Sequence, residues 1–231
     1  MRIVIFGANG PTGRLLTTRV LDAGHQAVAV TRRPTDFPMR HPRLTVAGAD
    51  VRDPATLDGV VHGADAVLSS LGVPFSMRAI DTYSVGTANI VAAMRAAAVP
   101  RLVVTSSTGA FPYPNRVDPP FALRIVEPVI TRTIGKSTYD DQRRMESIVR
   151  GSGLDWTIVR PSGLFDLAEP TDYVAGEVEP VGMFTARIDL ADYMTRLAGS
   201  SDGTGKTVVV STVEHIPTIW QMVRREAVKT G

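Results

Sequence analysis

Three glycines spaced Gly7-x-x-Gly10-x-x-Gly13 follow the apolar run Ile3-Val4-Ile5-Phe6. A glycine-rich turn between a strand and a helix suits a nucleotide diphosphate. Glycine lets the backbone approach the phosphates, and the free N–H groups of the helix start point at them. The spacing holds one residue more before its second glycine than the dinucleotide fingerprint Gly-x-Gly-x-x-Gly. Glycines also end strands for steric reasons, so the turn alone leaves both readings open. Its setting favours phosphate binding: residues 2–6 are apolar and largely β-branched, and Leu15, Leu16, Val20 and Leu21 then share one helical face.

A second group ends the next apolar run, Thr31-Arg32-Arg33-Pro34. In a nucleotide-binding βαβ unit the residue at this strand's end meets the adenosine ribose. An acid there binds the ribose hydroxyls of NAD; an arginine accommodates the 2′-phosphate of NADP. Two arginines and no acid point to NADP(H) over NAD(H), against the alternative of two ordinary surface charges. Asp50 closes a third strand, where it serves equally as a turn or cap residue or as a contact to the adenine amino group. The small-residue exit Ser70-Leu71-Gly72 lets a cofactor ribose lie close to the backbone.

These residues need a frame of alternating strands and helices. Strands are expected at 2–6, 26–31, 44–48, 66–72, 101–107, 155–161 and 207–210. Helices are expected from 11, at 54–62 with Asp53 as its cap, at 78–98, 137–150, 189–198 and 216–228. Ile80, Tyr83, Thr87, Val91 and Met94 form the inner stripe of the long third helix. Residues 111–120 read as a proline-rich loop, 121–134 as an apolar segment and 162–186 as irregular. The alternation implies an α/β fold, a doubly wound parallel sheet in a single domain over 1–231, with ligands at the carboxyl ends of the strands.

Composition removes other chemistries. The chain has no cysteine, which excludes disulfides, thiol nucleophiles and cysteine metal sites. The four histidines, His25, His41, His62 and His215, are far apart and none has a metal-ligand spacing, so no metal is expected. Ser106 and Ser107 stand at a strand end but lack the Gly-x-Ser-x-Gly elbow of a hydrolase. Asp140 and Asp141 read as charges at a helix start. The net charge of +2 is scattered, which argues against nucleic acid, and no apolar run has the ~20 residues of a membrane helix. No signal peptide is read, so a cytoplasmic protein is expected, a monomer or homodimer.

Four stretches together resemble the extended and atypical branch of the short-chain dehydrogenase/reductase superfamily, in particular its small NmrA-like and flavin/biliverdin-reductase-like members. They are Gly7 to Arg14; Gly86 to Ala93 running into Ala98 to Ser107; Glu146 with Ser152 to Leu164; and Ile188 to Tyr193. The resemblance spans nearly the whole chain. It implies a Rossmann-like domain holding NADP(H), with Gly7, Asn9, Gly10, Pro11, Thr12, Gly13 and Arg14 around the pyrophosphate. By the same analogy Arg32 and Arg33 take the 2′-phosphate, and Asp50 and Val51 flank adenine. Ser70, Leu71 and Gly72 line the nicotinamide ribose, with Ser106 and Ser107 nearby. A small-molecule substrate would sit over the nicotinamide, walled by segments 109–135 and 162–186.

One departure from the family bears on the chemistry. Aligned on Glu146, the family's Tyr-x-x-x-Lys pair falls on Thr138 and Gln142. Tyr139 and Arg143 have the right mutual spacing but sit one residue on, about 100° round the helix, which is expected to aim them elsewhere. Arginine also holds its proton where lysine would titrate. The expectation is therefore hydride transfer to a conjugated acceptor such as a quinone or flavin, governed by cofactor placement, with Ser107, Tyr113 and Tyr139 as candidate proton donors. The alternative is a non-catalytic NADP-binding sensor or regulator.

Overall fold

The structure is a computed structural model and describes residues 1–57, 59–74, 78–117 and 135–217. Strand β1 (Arg2–Phe6) shows why its sequence is apolar from Ile3 onward. Ile3 and Ile5 enter one core while Val4 and Phe6 enter another, on the opposite face of the sheet. A strand buried on both sides cannot alternate with polar residues. Helix α1 (Pro11–Asp22) follows, then β2 (Gln26–Thr31), β3 (Leu44–Gly48) and β4 (Ala66–Ser69). Helix α2 (Thr82–Ala96), β5 (Arg101–Thr105), α3 (Lys136–Arg150) and β6 (Asp155–Pro161) come next. The chain then makes three short strands, β7 (Gly163–Phe165), β8 (Val174–Gly176) and β9 (Phe184–Ala186), before α4 (Arg187–Ala198) and β10 (Lys206–Ser211).

The main sheet has eight strands in the order β3-β2-β1-β4-β5-β6-β10-β8. All pairs are parallel except β10 with β8. One core lies between the sheet and helices α1 and α4, the other between the sheet and α2 and α3. This is the expected doubly wound Rossmann-like fold. The chain moves outward from β1 to β3 and then returns to place β4 on the other side of β1. The crevice between the carboxyl ends of β1 and β4 is thus the switch point at which such sheets bind ligands.

Several local expectations are corrected. The helix expected at 54–62 is one 3₁₀ turn, Pro54–Leu57, and Gly59 then turns the chain with φ 77°. Asp53 still caps this turn, its carboxylate accepting the Ala55 N–H at 3.2 Å. Helix α2 starts at Thr82 rather than 78, because the buried Asp141 carboxylate of α3 accepts the Tyr83 N–H at 2.8 Å and the Ser84 N–H at 3.3 Å. Asp141 therefore serves another helix's N-terminus, not its own. Residues 162–186, expected to be irregular, supply β7 and β9, which pair with each other, and the antiparallel edge strand β8. Segment 118–134 and the expected helix from residue 218 onward fall outside the described residues.

Candidate functional site

The glycine turn closes β1 and opens α1, and its three glycines have three reasons. Gly7 has φ 75°, and a Cβ there would lie 2.6 Å from the Ser70 carbonyl oxygen, so it lets β1 and β4 exits meet at the switch point. A Cβ on Gly13 would run into the Gly7 carbonyl and lie 2.7 Å from the Ala8 Cα; glycine there lets the helix pack on its own turn. Gly10 differs. The only atom near a Cβ there is the Gly7 carbonyl oxygen, at 3.3 Å, and the rest is open. Gly10 is the N-cap of α1, with no side chain capping the helix. Pro11 has no N–H to leave unpaired, while the N–H groups of Thr12 and Gly13 lie in the first turn, where no intrahelical partner exists. Arg14 folds its guanidinium back over the turn, Nη2 donating to the Asn9 side-chain oxygen at 2.8 Å. An uncapped helix start, an open Cβ space and an adjacent cation together fit a pyrophosphate.

The residues expected at the adenosine end are partly engaged by protein contacts. Arg32 and Arg33 are both exposed at the end of β2, as the sequence placed them. Arg33 Nε stands 3.6 Å from the Asp36 carboxylate, whereas among the described residues nothing pairs with Arg32. Asp50 accepts the Arg52 N–H at 3.0 Å, a turn role in which its second carboxylate oxygen takes no hydrogen bond from the described residues. Val51 is buried against Gly86, and its carbonyl accepts from the Asn89 amide at 2.8 Å. Ser70 is fixed by its N–H donating to the Phe6 carbonyl at 3.0 Å. Leu71 packs toward Gly86, and Gly72 faces open space.

Beyond β5 the chain makes a 3₁₀ turn, Thr108–Ala110, that Ser107 caps by accepting the Gly109 N–H at 3.1 Å. Ser106 is buried, and among the described residues its hydroxyl has no hydrogen-bond partner. An orphaned hydroxyl at a strand's carboxyl end is the second observation that fits a ligand here. Helix α3 sets Tyr139 on a different face from the positions aligned with the family pair. Thr138 and Gln142, the positions aligned with the family pair, are buried with Met145 and Val149 and face the core. The neighbouring stripe 139/143/146 faces the loop instead. The Tyr139 ring lies against Gly109, Arg143 Nε donates to the Ala110 carbonyl at 2.6 Å, and Glu146 pairs with Arg160. The one-residue step of 100° thus turns Tyr139 away from the core and against the turn that follows β5.

Glu146 and Arg160 were legible only as marks of the resemblance. In the structure Glu146 takes Arg160 at 2.9 and 2.6 Å, and Arg160 stacks 3.6 Å from the Phe111 ring centre. Its Nη1 donates to the Tyr113 hydroxyl at 3.0 Å. Burial works against the Arg160 charge, but the Glu146 and Tyr113 contacts prevail and raise its pKa. Tyr113 is thereby tied to the end of β6 rather than left free over the crevice. A glutamate beside the core stripe of α3 and an arginine inside an apolar strand run are the signal that they pair. Arg116 closes the same side, donating to Ser162 at 3.2 Å and to the Gly182 carbonyl at 2.9 Å. Segments 111–117 and 162–186 therefore meet over the strand ends.

A surface cavity of about 390 Å³ lies at the other end of the sheet, beside Lys206 at the start of β10, and holds none of these residues. Among the described residues no group of three His, Asp or Glu could hold a metal, and no helix is long and apolar enough to cross a membrane.

Comparison with known proteins gives a family and a fold. The profile of the NAD(P)H-binding family matches residues 7–201. The chain is 30% identical over 166 residues to an uncharacterised protein of Mycobacterium tuberculosis, covering 71% of this chain but only 15% of that one. It is 32% identical over 159 residues to the (4-alkanoyl-5-oxo-2,5-dihydrofuran-3-yl)methyl phosphate reductase of Streptomyces griseus, covering 69% of this chain and 46% of the reductase. A short-chain dehydrogenase/reductase of Veillonella parvula in complex with NADP superposes with a TM-score of 0.73 at 21% identity, over 92% of this chain and 95% of that one. At that identity the likeness is one of fold.

Proposed function

The chain belongs to the NAD(P)H-binding family of oxidoreductases, and from that premise we propose that it is an NADP(H)-dependent reductase of a small conjugated acceptor. The observation that carries the reading is the uncapped start of α1 beneath an open Gly10, with the unpaired Arg32 at the end of β2. When bound, the reduced cofactor supplies a hydride. The first turn of α1 and Arg14 hold its pyrophosphate. Arg32 meets the 2′-phosphate with charge-assisted hydrogen bonds that an NAD ribose cannot accept. Ser70, Leu71 and Gly72 admit the nicotinamide ribose, and Ser106 offers its unused hydroxyl on that side. Segments 111–117 and 162–186 exclude water above. Tyr139, set against the turn that follows β5, donates the proton as the acceptor is reduced. A 2,5-dihydrofuran bearing 5-oxo and 4-alkanoyl groups, as in the name of the Streptomyces relative, is a conjugated acceptor of this kind.

The test is NADPH and NADH titration, followed by single-turnover hydride transfer to a panel of quinones, flavins and enones. Preference for NADPH with turnover of a conjugated acceptor is expected. Tight NADPH binding with no turnover of any acceptor would favour the sensor reading instead.

A further inference from the structure

We propose that Gly109 is a positioning residue for Tyr139: by lacking a side chain it forms the slot that holds the phenol over the end of β5. The inference rests on the reading of Tyr139 as proton donor. A Cβ at position 109 would stand 2.7 Å from both Cζ and the hydroxyl oxygen of Tyr139 and 2.8 Å from Cε1. The phenol therefore occupies the volume that any other residue at 109 would claim.

Neither the turn nor the helix can yield. The Gly109 N–H is held by Ser107, and the next carbonyl, Ala110, is held by Arg143 at 2.6 Å. Thr108 is within 3.3 Å of the Ser162 hydroxyl. Helix α3 is pinned to α2 through Asp141. The far end of a side chain shifts more readily than either backbone, so a methyl at 109 displaces the Tyr139 phenol and the contacts the phenol makes.

A reduced nicotinamide bound here would supply a hydride, and with it two electrons, to the acceptor's electrophilic carbon and would leave oxidised. The Tyr139 hydroxyl would supply the proton to the acceptor's oxygen, and the phenolate would recover a proton from water. Displacing the phenol by about 1 Å lengthens the proton path, a misplacement that costs on the order of 10²-fold in rate.

The experiment combines rates with ¹⁹F NMR of protein carrying 3-fluorotyrosine at its five tyrosines, the Tyr139 resonance being the one lost in Tyr139→Phe. In Gly109→Ala we expect that resonance to move, NADPH affinity to stay within about twofold, and hydride transfer to fall about 10²-fold. In the Tyr139→Phe background, adding Gly109→Ala should change the rate by less than about threefold, because the group it displaces has already lost its proton. If Gly109→Ala slows both backgrounds equally, or leaves the Tyr139 resonance unmoved, the slot is refuted while the donor reading stands. If Tyr139→Phe alone leaves the rate unchanged, the donor reading fails and the proposal with it. Should Gly109→Ala fold poorly, Gly109→Ala/Tyr139→Ala vacates the slot and should melt with Tyr139→Ala alone; a double variant that melts far lower overturns the proposal.

Discussion

At the start of α1 the groups turned toward the crevice are backbone N–H groups, and the residues that matter there matter for what they lack. In the loop after β5 the groups are side chains carried in from α3 and β6: Tyr139, Arg143, Glu146 and Arg160. The first region needs only glycine at the right steps. The second needs a helix in the right phase and a buried ion pair to hold a loop against a strand end. Backbone sites tolerate little in the glycines and much around them; side-chain sites depend on every link between the helix and the loop.

The sharpest way to break this comparison is within the turn itself. Gly13→Val should cost about 4 kcal/mol and lower the melting temperature by about 10 °C, because its side chain meets the Gly7 and Ala8 backbone. Gly10→Val should cost no more than about 1 kcal/mol, yet abolish NADPH binding by filling the space over the helix start. Thermal melting with and without NADPH separates the two. A Gly10→Val protein that binds normally would remove the pyrophosphate from this turn.

In the loop region the corresponding break is Glu146→Ala. It strands the Arg160 guanidinium, which retains only Tyr113 and the Phe111 face, and should cost about 3 kcal/mol in denaturant unfolding. NADPH affinity should change little, since the glycine turn shares no contact with the pair. A parallel loss of affinity would mean that the two regions are one unit.

The difference between the regions also decides what the sequence could disclose. Strands β1, β2, β3 and β6 are readable to the residue, because each is rich in apolar and β-branched residues and stops at or just before a glycine, threonine or proline, although β3, at the sheet's edge, is only half-buried. The glycine turn is readable as a backbone demand written in one residue type. The three-residue strands β7, β8 and β9 are too short to show a period, and β8 pairs with β10 only through tertiary contact. The direction of Tyr139 depends on the phase of α3. Thr138, Asp141 and Gln142 are buried although polar, so hydrophobicity alone does not mark the core stripe. Asp141 in particular looks like a surface charge until α2 is brought to it.

At the adenosine end, Arg32→Ala should weaken NADPH by about 2 kcal/mol, the loss of charge-assisted hydrogen bonds to a phosphate, and leave NADH unchanged. Calorimetric titration of both cofactors into both proteins measures the difference. Equal affinity of the wild-type protein for NADPH and NADH would sink the assignment of Arg32.

The smallest effect is expected next door. Arg33 stands 3.6 Å from Asp36, and the two side chains are 77% and 56% exposed. An exposed pair of this kind contributes about 0–1 kcal/mol to stability, so Arg33→Ala should leave the melting temperature almost unmoved. Its effect on NADPH should also be smaller than that of Arg32→Ala, because Asp36 already neutralises part of the charge that a 2′-phosphate would meet. Asp36→Asn sharpens this. Removing the carboxylate takes away both a competitor for Arg33 and a repulsion toward the phosphate, so NADPH should bind more tightly while NADH does not. The gain should fade as salt rises, since all three groups are in solvent and screened over about 8–10 Å. If Arg33→Ala costs more NADPH affinity than Arg32→Ala, the roles are exchanged, and the Asp36 pair orients Arg33 for the phosphate rather than diverting it.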